Sequence, residues 1–295
     1  MKHTVFRGMA TAMVTPMTPH GVDYDTLARF IDFQIDSGIN ALVATGTTGE
    51  SATLSDKERT QVIDFTVRRV KGRVPVIGGT GTNETVRAIE LTKNACDVGV
   101  DAVLAVTPYY NKATQKGLIN HYTAIADVAS KPVIAYCVPS RTGCNILPDT
   151  LAVMGQHPNI AALKDASGNM DQTVETIAKC GDLLDIYSGE DSLTVPMMAM
   201  GALGCISVVS NVVPALAVEM CDKFFAGDLA GAAEIQCKML PLIRALFSEV
   251  NPIPAKAAVA KMGFGEEYLR MPLSYLEDGN RENLYRQMDN LGVKL

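Results

Sequence analysis

No apolar run in this 295-residue chain approaches the roughly 18 residues that a membrane-spanning helix needs, so no membrane partner is expected. There is also no C-x-x-C pair. The seven cysteines, Cys96, Cys137, Cys144, Cys180, Cys205, Cys221 and Cys237, are odd in number and scattered, which fits reduced thiols better than a disulfide framework or a zinc site. Basic blocks are missing: 26 Lys+Arg against 32 Asp+Glu leave a net charge of −6, which argues against nucleic acid as a partner. Histidine is scarce. His3, His20, His121 and His157 fall at the N-terminus, in a loop, in a helical stretch and before the sixth strand candidate, so they are not expected to converge on a metal. Met1 to Pro19 carries Lys2 and Arg7 but too short an apolar segment for a signal-peptide core, and the expected location is cytoplasmic.

What is there is a regular alternation. Apolar runs and amphipathic stretches follow one another every 25–30 residues or so, the mark of βα units on a parallel sheet. The expected strands are Met9–Val14, Ala41–Ala44, Val74–Gly78, Ala102–Val106, Val133–Cys137, Ile160–Lys164, Leu184–Ser188 and Gly204–Val208, each followed by a helical pattern. Ser55 with Glu58 reads as a capping box, and Pro148 and Pro214 as first-turn prolines. Eight such units predict a (β/α)8 TIM barrel, α/β in class, over residues 1–227. Residues 228–295 then read as a C-terminal helical region, with Leu229–Glu249, Pro254–Met262 and Glu282–Leu291 as helices and Asn251-Pro252-Ile253-Pro254 as a turn.

The chain is organised around Ile160-Ala161-Ala162-Leu163-Lys164-Asp165, a buried-strand pattern that ends in a lysine. Strand alternation predicts Ile160, Ala162 and Lys164 on one face. An amine held among apolar neighbours loses hydration and becomes a candidate nucleophile toward a carbonyl carbon. A second reading stays open, in which Lys164 clears the strand end, reaches water and pairs with Asp165.

In a barrel of this type chemistry collects at the C-terminal strand ends. Thr45-Gly46-Thr47-Thr48-Gly49-Glu50-Ser51, after the second strand, can curl so that amides and hydroxyls converge on a small carboxylate; an ordinary Gly-rich turn is the alternative. It lacks the phosphate-loop spacing. Thr107-Pro108-Tyr109-Tyr110 places two phenols at the mouth, for proton relay or for packing. Tyr136 ends the strand beside that of Lys164, one strand spacing of about 5 Å away. Arg141, in the loop that follows, offers a planar fork for a carboxylate.

Taken in order, Gly46-Thr47-Thr48-Gly49-Glu50, Thr107-Pro108-Tyr109-Tyr110, Tyr136 with Pro139-Ser140-Arg141-Thr142-Gly143, Leu163-Lys164-Asp165, Gly201–Ser207 and Asn251-Pro252-Ile253-Pro254 set the chain beside known sequences. It resembles the dihydrodipicolinate synthase (4-hydroxy-tetrahydrodipicolinate synthase) family of the pyruvate-dependent class I aldolases over nearly its whole length. The resemblance implies a lyase that joins pyruvate to L-aspartate 4-semialdehyde on the route to diaminopimelate and lysine. Lys164 would form the imine, with no cofactor and no metal. Tyr136, Thr47 and Tyr110 would relay protons, Tyr110 being given by the neighbouring subunit of a homodimer or homotetramer. Thr48 would hold the pyruvate carboxylate, the backbone around Gly189 and Ile206 would complete the pocket, and Arg141 would grip the second substrate.

Two relatives within the superfamily remain as alternatives: a lyase for N-acetylneuraminate or one for a 2-keto-3-deoxy sugar acid. Thr47-Thr48 with Ser140-Arg141-Thr142-Gly143 speaks for a carboxylate-bearing aldehyde. A catalytically silent sensor or structural relative is the alternative of another class. Departures from the family pattern are Cys137 beside the tyrosine, and Asp56, Arg59 and Arg87 in a cleft that binds lysine in inhibited members, where Ser51, Ala52, Asn83 and Tyr109 are kept. At Arg87 like charge replaces opposite charge, so feedback by lysine is expected to be weak or absent.

Overall fold

Short runs rich in alanine, valine and isoleucine pair here as parallel strands because both of their faces are buried. The computed structural model describes residues 4–293. Its strands are β1 Gly8–Ala12, β2 Met17–Thr18, β3 Gly21–Val22, β4 Ala41–Ala44, β5 Val76–Gly79, β6 Ala102–Val106, β7 Val133–Cys137, β8 Ile160–Asp165, β9 Asp185–Ser188 and β10 Gly204–Ser207. β1 and β4 to β10 close into an eight-stranded barrel, and β2 and β3 form a small antiparallel hairpin at its side.

The helices are α1 Tyr24–Asp36, α2 Asp56–Val70, α3 Thr85–Asp97, α4 Gln115–Val128, α5 Pro139–Thr142, α6 Pro148–Met154, α7 Met170–Cys180, α8 Thr194–Ala199, α9 Pro214–Phe225, α10 Leu229–Leu246, α11 Ile253–Lys261 and α12 Asp278–Asn290. The capping box at Ser55 and Glu58 opens α2, and Pro148 and Pro214 sit in the first turns of α6 and α9.

Side chains sort into two cores. Leu42 and Ala44 of β4 join the outer core between strands and helices, while Ala41 and Val43 face the barrel interior. Five interior positions are alanine, and at the end where β1 begins Phe6 stacks on Tyr187 with ring centroids 4.2 Å apart. The Tyr187 hydroxyl donates to the Phe6 carbonyl at 2.7 Å.

Several expected boundaries move for identifiable reasons. Ile160 belongs to the outer core, not to the face of Ala162 and Lys164, because the β7–β8 register slips between Val133 and Ile134. One extra residue there inverts the alternation upstream of it. β1 stops before Val14, whose amide turns to the Asn211 side chain at 3.0 Å. β10 stops before Val208, because the Val208 and Val209 amides donate to the Asp191 carboxylate at 3.0 and 2.8 Å. Residues 139–142, expected as loop, form the single turn α5, and α10 ends at Leu246 rather than Glu249. His3 lies outside the described residues, and among those residues no helix is long and apolar enough to cross a membrane.

Candidate active site

β7 and β8 deliver Tyr136 and Lys164 to the same level, as register partners at the C-terminal end of the barrel. Both are buried, and the Lys164 amine lies 4.2 Å from the centroid of the Tyr136 ring. Asp165 does not take the amine. Its carboxylate faces the other way and accepts from the Thr173 hydroxyl at 2.7 Å and the Ser167 amide at 2.9 Å. Lys164 has no ion pair among the described residues, which removes the reading of a solvated, paired strand-end lysine.

A cleft of about 270 Å³ opens above this pair, lined by Gly46, Thr47, Thr48 and Arg141 together with Tyr136 and Lys164. Gly189, after β9, also lines it and has no room for a side chain: a Cβ there would meet Lys164 Cε at 2.9 Å and Ala166 Cβ at 2.9 Å. Two expected residues are not brought to the cleft within one chain. Ile206 is wholly buried in the interior core, and Tyr110 stands outside, 90% exposed with φ at +73°.

The loop after β4 is fixed from beneath. Thr45 and Glu50 both adopt left-handed backbone, with φ of +55° and +56°, a conformation that costs a non-glycine residue energy and needs outside support. Support comes from Lys256 of α11, whose amine meets the Glu50 carboxylate at 2.7 Å and donates to the Thr15 carbonyl at 2.6 Å, all of it buried. Desolvation pulls the Lys256 amine below its ordinary range, and Glu50 opposes that pull. Asn251 ties two sides of the cleft together: its side-chain amide donates to Thr48 at 3.0 Å, and its carbonyl accepts from Arg141 at 3.1 Å.

Lys256, Glu190 and Asp191 lie in none of the sequence motifs, and Asn251 enters them only within the Asn251-Pro252-Ile253-Pro254 segment. A lysine inside Ile253-Pro254-Ala255-Lys256-Ala257-Ala258 was the one available signal, since a cation amid alanines on a buried helix requires a counter-ion. Cys137 packs beside Tyr136 as an inert thiol: burial pushes it up to about 12, and its sulfur lies 3.2 Å from Asn145 Oδ1.

A second cleft of about 300 Å³ adjoins the first and shares Thr47 and Arg141 with it. Ser51, Ala52, Arg59, Arg87 and Tyr109 line this one; Asn83 instead gives its carbonyl to the Asn111 side chain at 2.9 Å. Arg87 is engaged by Asp56 at 2.6 Å, and burial lowers the Arg59 guanidinium to about 10.

The model of the dihydrodipicolinate synthetase family matches residues 5–291. The chain belongs to that family. Among relatives in the family, the 4-hydroxy-tetrahydrodipicolinate synthase of Geobacter sulfurreducens is 48% identical over 280 residues, covering 95% of this chain and 97% of its own. The enzyme of the same name from Lachnoclostridium phytofermentans is 49% identical over 291 residues, covering 98% and 99%. A solved family member, the chloride-inhibited dihydrodipicolinate synthase of Acinetobacter baumannii in complex with pyruvate, superposes with a TM-score of 0.96 at 42% identity, over 99% of this chain and all of the other.

Proposed function

We propose that this chain is a 4-hydroxy-tetrahydrodipicolinate synthase, which condenses pyruvate with L-aspartate 4-semialdehyde through an imine on Lys164. The observation that carries the reading is the buried Lys164 amine, free of any counter-ion among the described residues and 4.2 Å from the Tyr136 ring. Lys164 attacks the keto carbon, and Tyr136 with Thr47 supplies and removes the protons. The Thr48 hydroxyl, which accepts from Asn251 and so keeps its own proton to donate, holds the pyruvate carboxylate with the Gly46–Gly49 backbone. The cationic imine acidifies the methyl group, giving an enamine that attacks the aldehyde. Arg141 grips the acceptor's carboxylate. The acceptor's amine then displaces Lys164 and closes the ring; the imine itself is the electron sink, so the cycle needs no cofactor.

Tyr110 completes the relay from a second copy of the chain. Its exposure and its left-handed backbone support this, because a bulky residue held at φ +73° and left exposed by the described residues of its own chain is set for a neighbour. We infer a homodimer, paired further into a tetramer, in a cytoplasmic setting that suits seven free cysteines.

The test follows pyruvate consumption with aspartate semialdehyde, N-acetylmannosamine or glyceraldehyde as acceptor. Consumption only with aspartate semialdehyde is expected. Consumption with a sugar aldehyde moves the chain to the sugar-acid lyases, and none with any acceptor returns it to a silent scaffold. Mixing Lys164→Ala with Tyr110→Phe protomers tests the shared site: part of the activity returns if the phenol crosses between chains, and none returns if it does not.

A further inference from the structure

Among the described residues two side-chain carboxylates line the Lys164 cleft, Glu190 and Glu249. Glu249 is committed, since its Oε1 accepts from the Glu277 amide at 3.0 Å and the Asn280 side chain at 2.8 Å. Glu190 is not. Its carboxylate has one long hydrogen bond, from the Ser192 hydroxyl at 3.3 Å, and no ion pair among the described residues. Burial raises it above the usual carboxyl range, Asp191 adds to the rise, and Lys164 opposes both. A half-buried anion with no ion pair among the described residues is a costly arrangement that a cationic ligand would relieve.

The turn that carries Glu190 is built to stay still. Ser188 Oγ accepts from the Glu190 amide at 3.2 Å and donates to the Glu190 carbonyl at 2.8 Å. Gly189 donates to the Asp165 carbonyl at 2.7 Å, and Asp191 is buried beneath, holding the Val208 and Val209 amides. Glu190 therefore lines, from a braced element, the same cleft as Lys164 and Arg141.

Resting on the function proposed above, the acceptor is an α-amino aldehyde with carboxylate and ammonium on one carbon. Arg141 answers the carboxylate, but the ammonium has no partner in that scheme. We infer that Glu190 binds this ammonium and accepts its proton, making Glu190 the base of the ring-closing step. Once its proton is on Glu190, the acceptor nitrogen uses its lone pair to bond to the imine carbon. That attack moves the π pair of the imine onto Nζ. The carbon–Nζ bond then breaks with its electron pair left on Nζ, while the ring nitrogen, having lost a second proton, uses the freed pair to form the ring C=N bond. The protons lost by the acceptor nitrogen reach Nζ by way of the carboxylate, which ends the cycle as it began.

The discriminating probe is succinate semialdehyde, which has the acceptor's chain and carboxylate but no amine. Glu190→Gln is expected to lower kcat/KM with aspartate semialdehyde by about 100-fold. Borohydride trapping of pyruvate on Lys164 persists in the variant, and so does trapping of the pyruvate–succinate semialdehyde adduct, within about 3-fold of the parent enzyme, since neither uses a base for an amine. Glu190→Asp restores roughly 10-fold of the loss, as a base set back by one methylene should. An unchanged kcat/KM with aspartate semialdehyde overturns the inference, as does an equal loss of both trapped adducts, which would put Glu190 in support of Lys164. If the parent enzyme consumes no pyruvate with aspartate semialdehyde, the substrate assignment fails first and the role of Glu190 falls with it.

Discussion

Gly189 and Lys164 compete for one volume: a methyl group added to Gly189 would lie 2.9 Å from Lys164 Cε and 3.0 Å from its Cγ. Contacts that short do not persist, and the lysine stem is the more mobile partner. Gly189→Ala is thus expected to fold, at a cost of about 1–3 kcal/mol, with Lys164 pushed off its position against Tyr136. Borohydride trapping of pyruvate should slow by about 100-fold, because misplacing a reacting atom by about 1 Å costs that much. Trapping at the parent rate would mean that the cleft yields elsewhere.

Lys164→Ala removes the only lysine that lines the cleft among the described residues. Mass spectrometry after borohydride reduction should find no pyruvate adduct on the variant; an adduct that persists puts the imine on another amine.

Lys256 and Glu50 make a buried pair, so removing one partner strands the other charge. Lys256→Met is expected to destabilise the fold by about 3–5 kcal/mol in urea unfolding. The double variant Lys256→Met with Glu50→Gln should recover part of that loss, and strict additivity would count against the pair as the support of the Thr45–Glu50 loop.

His121 sits buried on α4, with Nδ1 at 2.9 Å from the Thr85 hydroxyl and no hydrogen-bond partner for Nε2 among the described residues, and burial lowers it from 6.5 to about 4. The unfolded chain takes up a proton there below about pH 6.5, while the folded chain refuses it until about pH 4. Stability from the neutral imidazole is therefore full above pH 6.5 and declines as the pH falls through that window, by up to about 3 kcal/mol. Urea midpoints measured across the window should show a slope that His121→Leu flattens.

Arg59 and Arg87 give the second cleft a cationic wall with Asp56 already engaged. Sub-millimolar lysine should leave activity unchanged, since its ammonium meets like charge there. Strong inhibition at that concentration would contradict this account of the cleft.

Much of this architecture is legible in sequence because parallel strands buried on both faces leave compact apolar signatures, and Ala41–Ala44, Ala102–Val106 and Val133–Cys137 are read to the residue. The slip beside Val133 is not legible: a bulge depends on what lies across the ladder, and neither strand records its partner. The same limit hides Asn251 and Lys256, whose partners Thr48 and Glu50 are some 200 residues away in the chain. The two-residue strands of the hairpin are too short to show any period.

The stack of Phe6 on Tyr187 occupies the barrel interior at the end where β1 begins, and the cleft at Lys164 lies at the other end. Lys164 is buried while Arg141 is exposed, so on the proposed function a reactant held at Lys164 lies inside one gripped by Arg141. An acceptor that arrived early would then stand across the approach to Lys164, and pyruvate is expected to load first. Excess acceptor should then inhibit by occupying the mouth while the bottom is still empty.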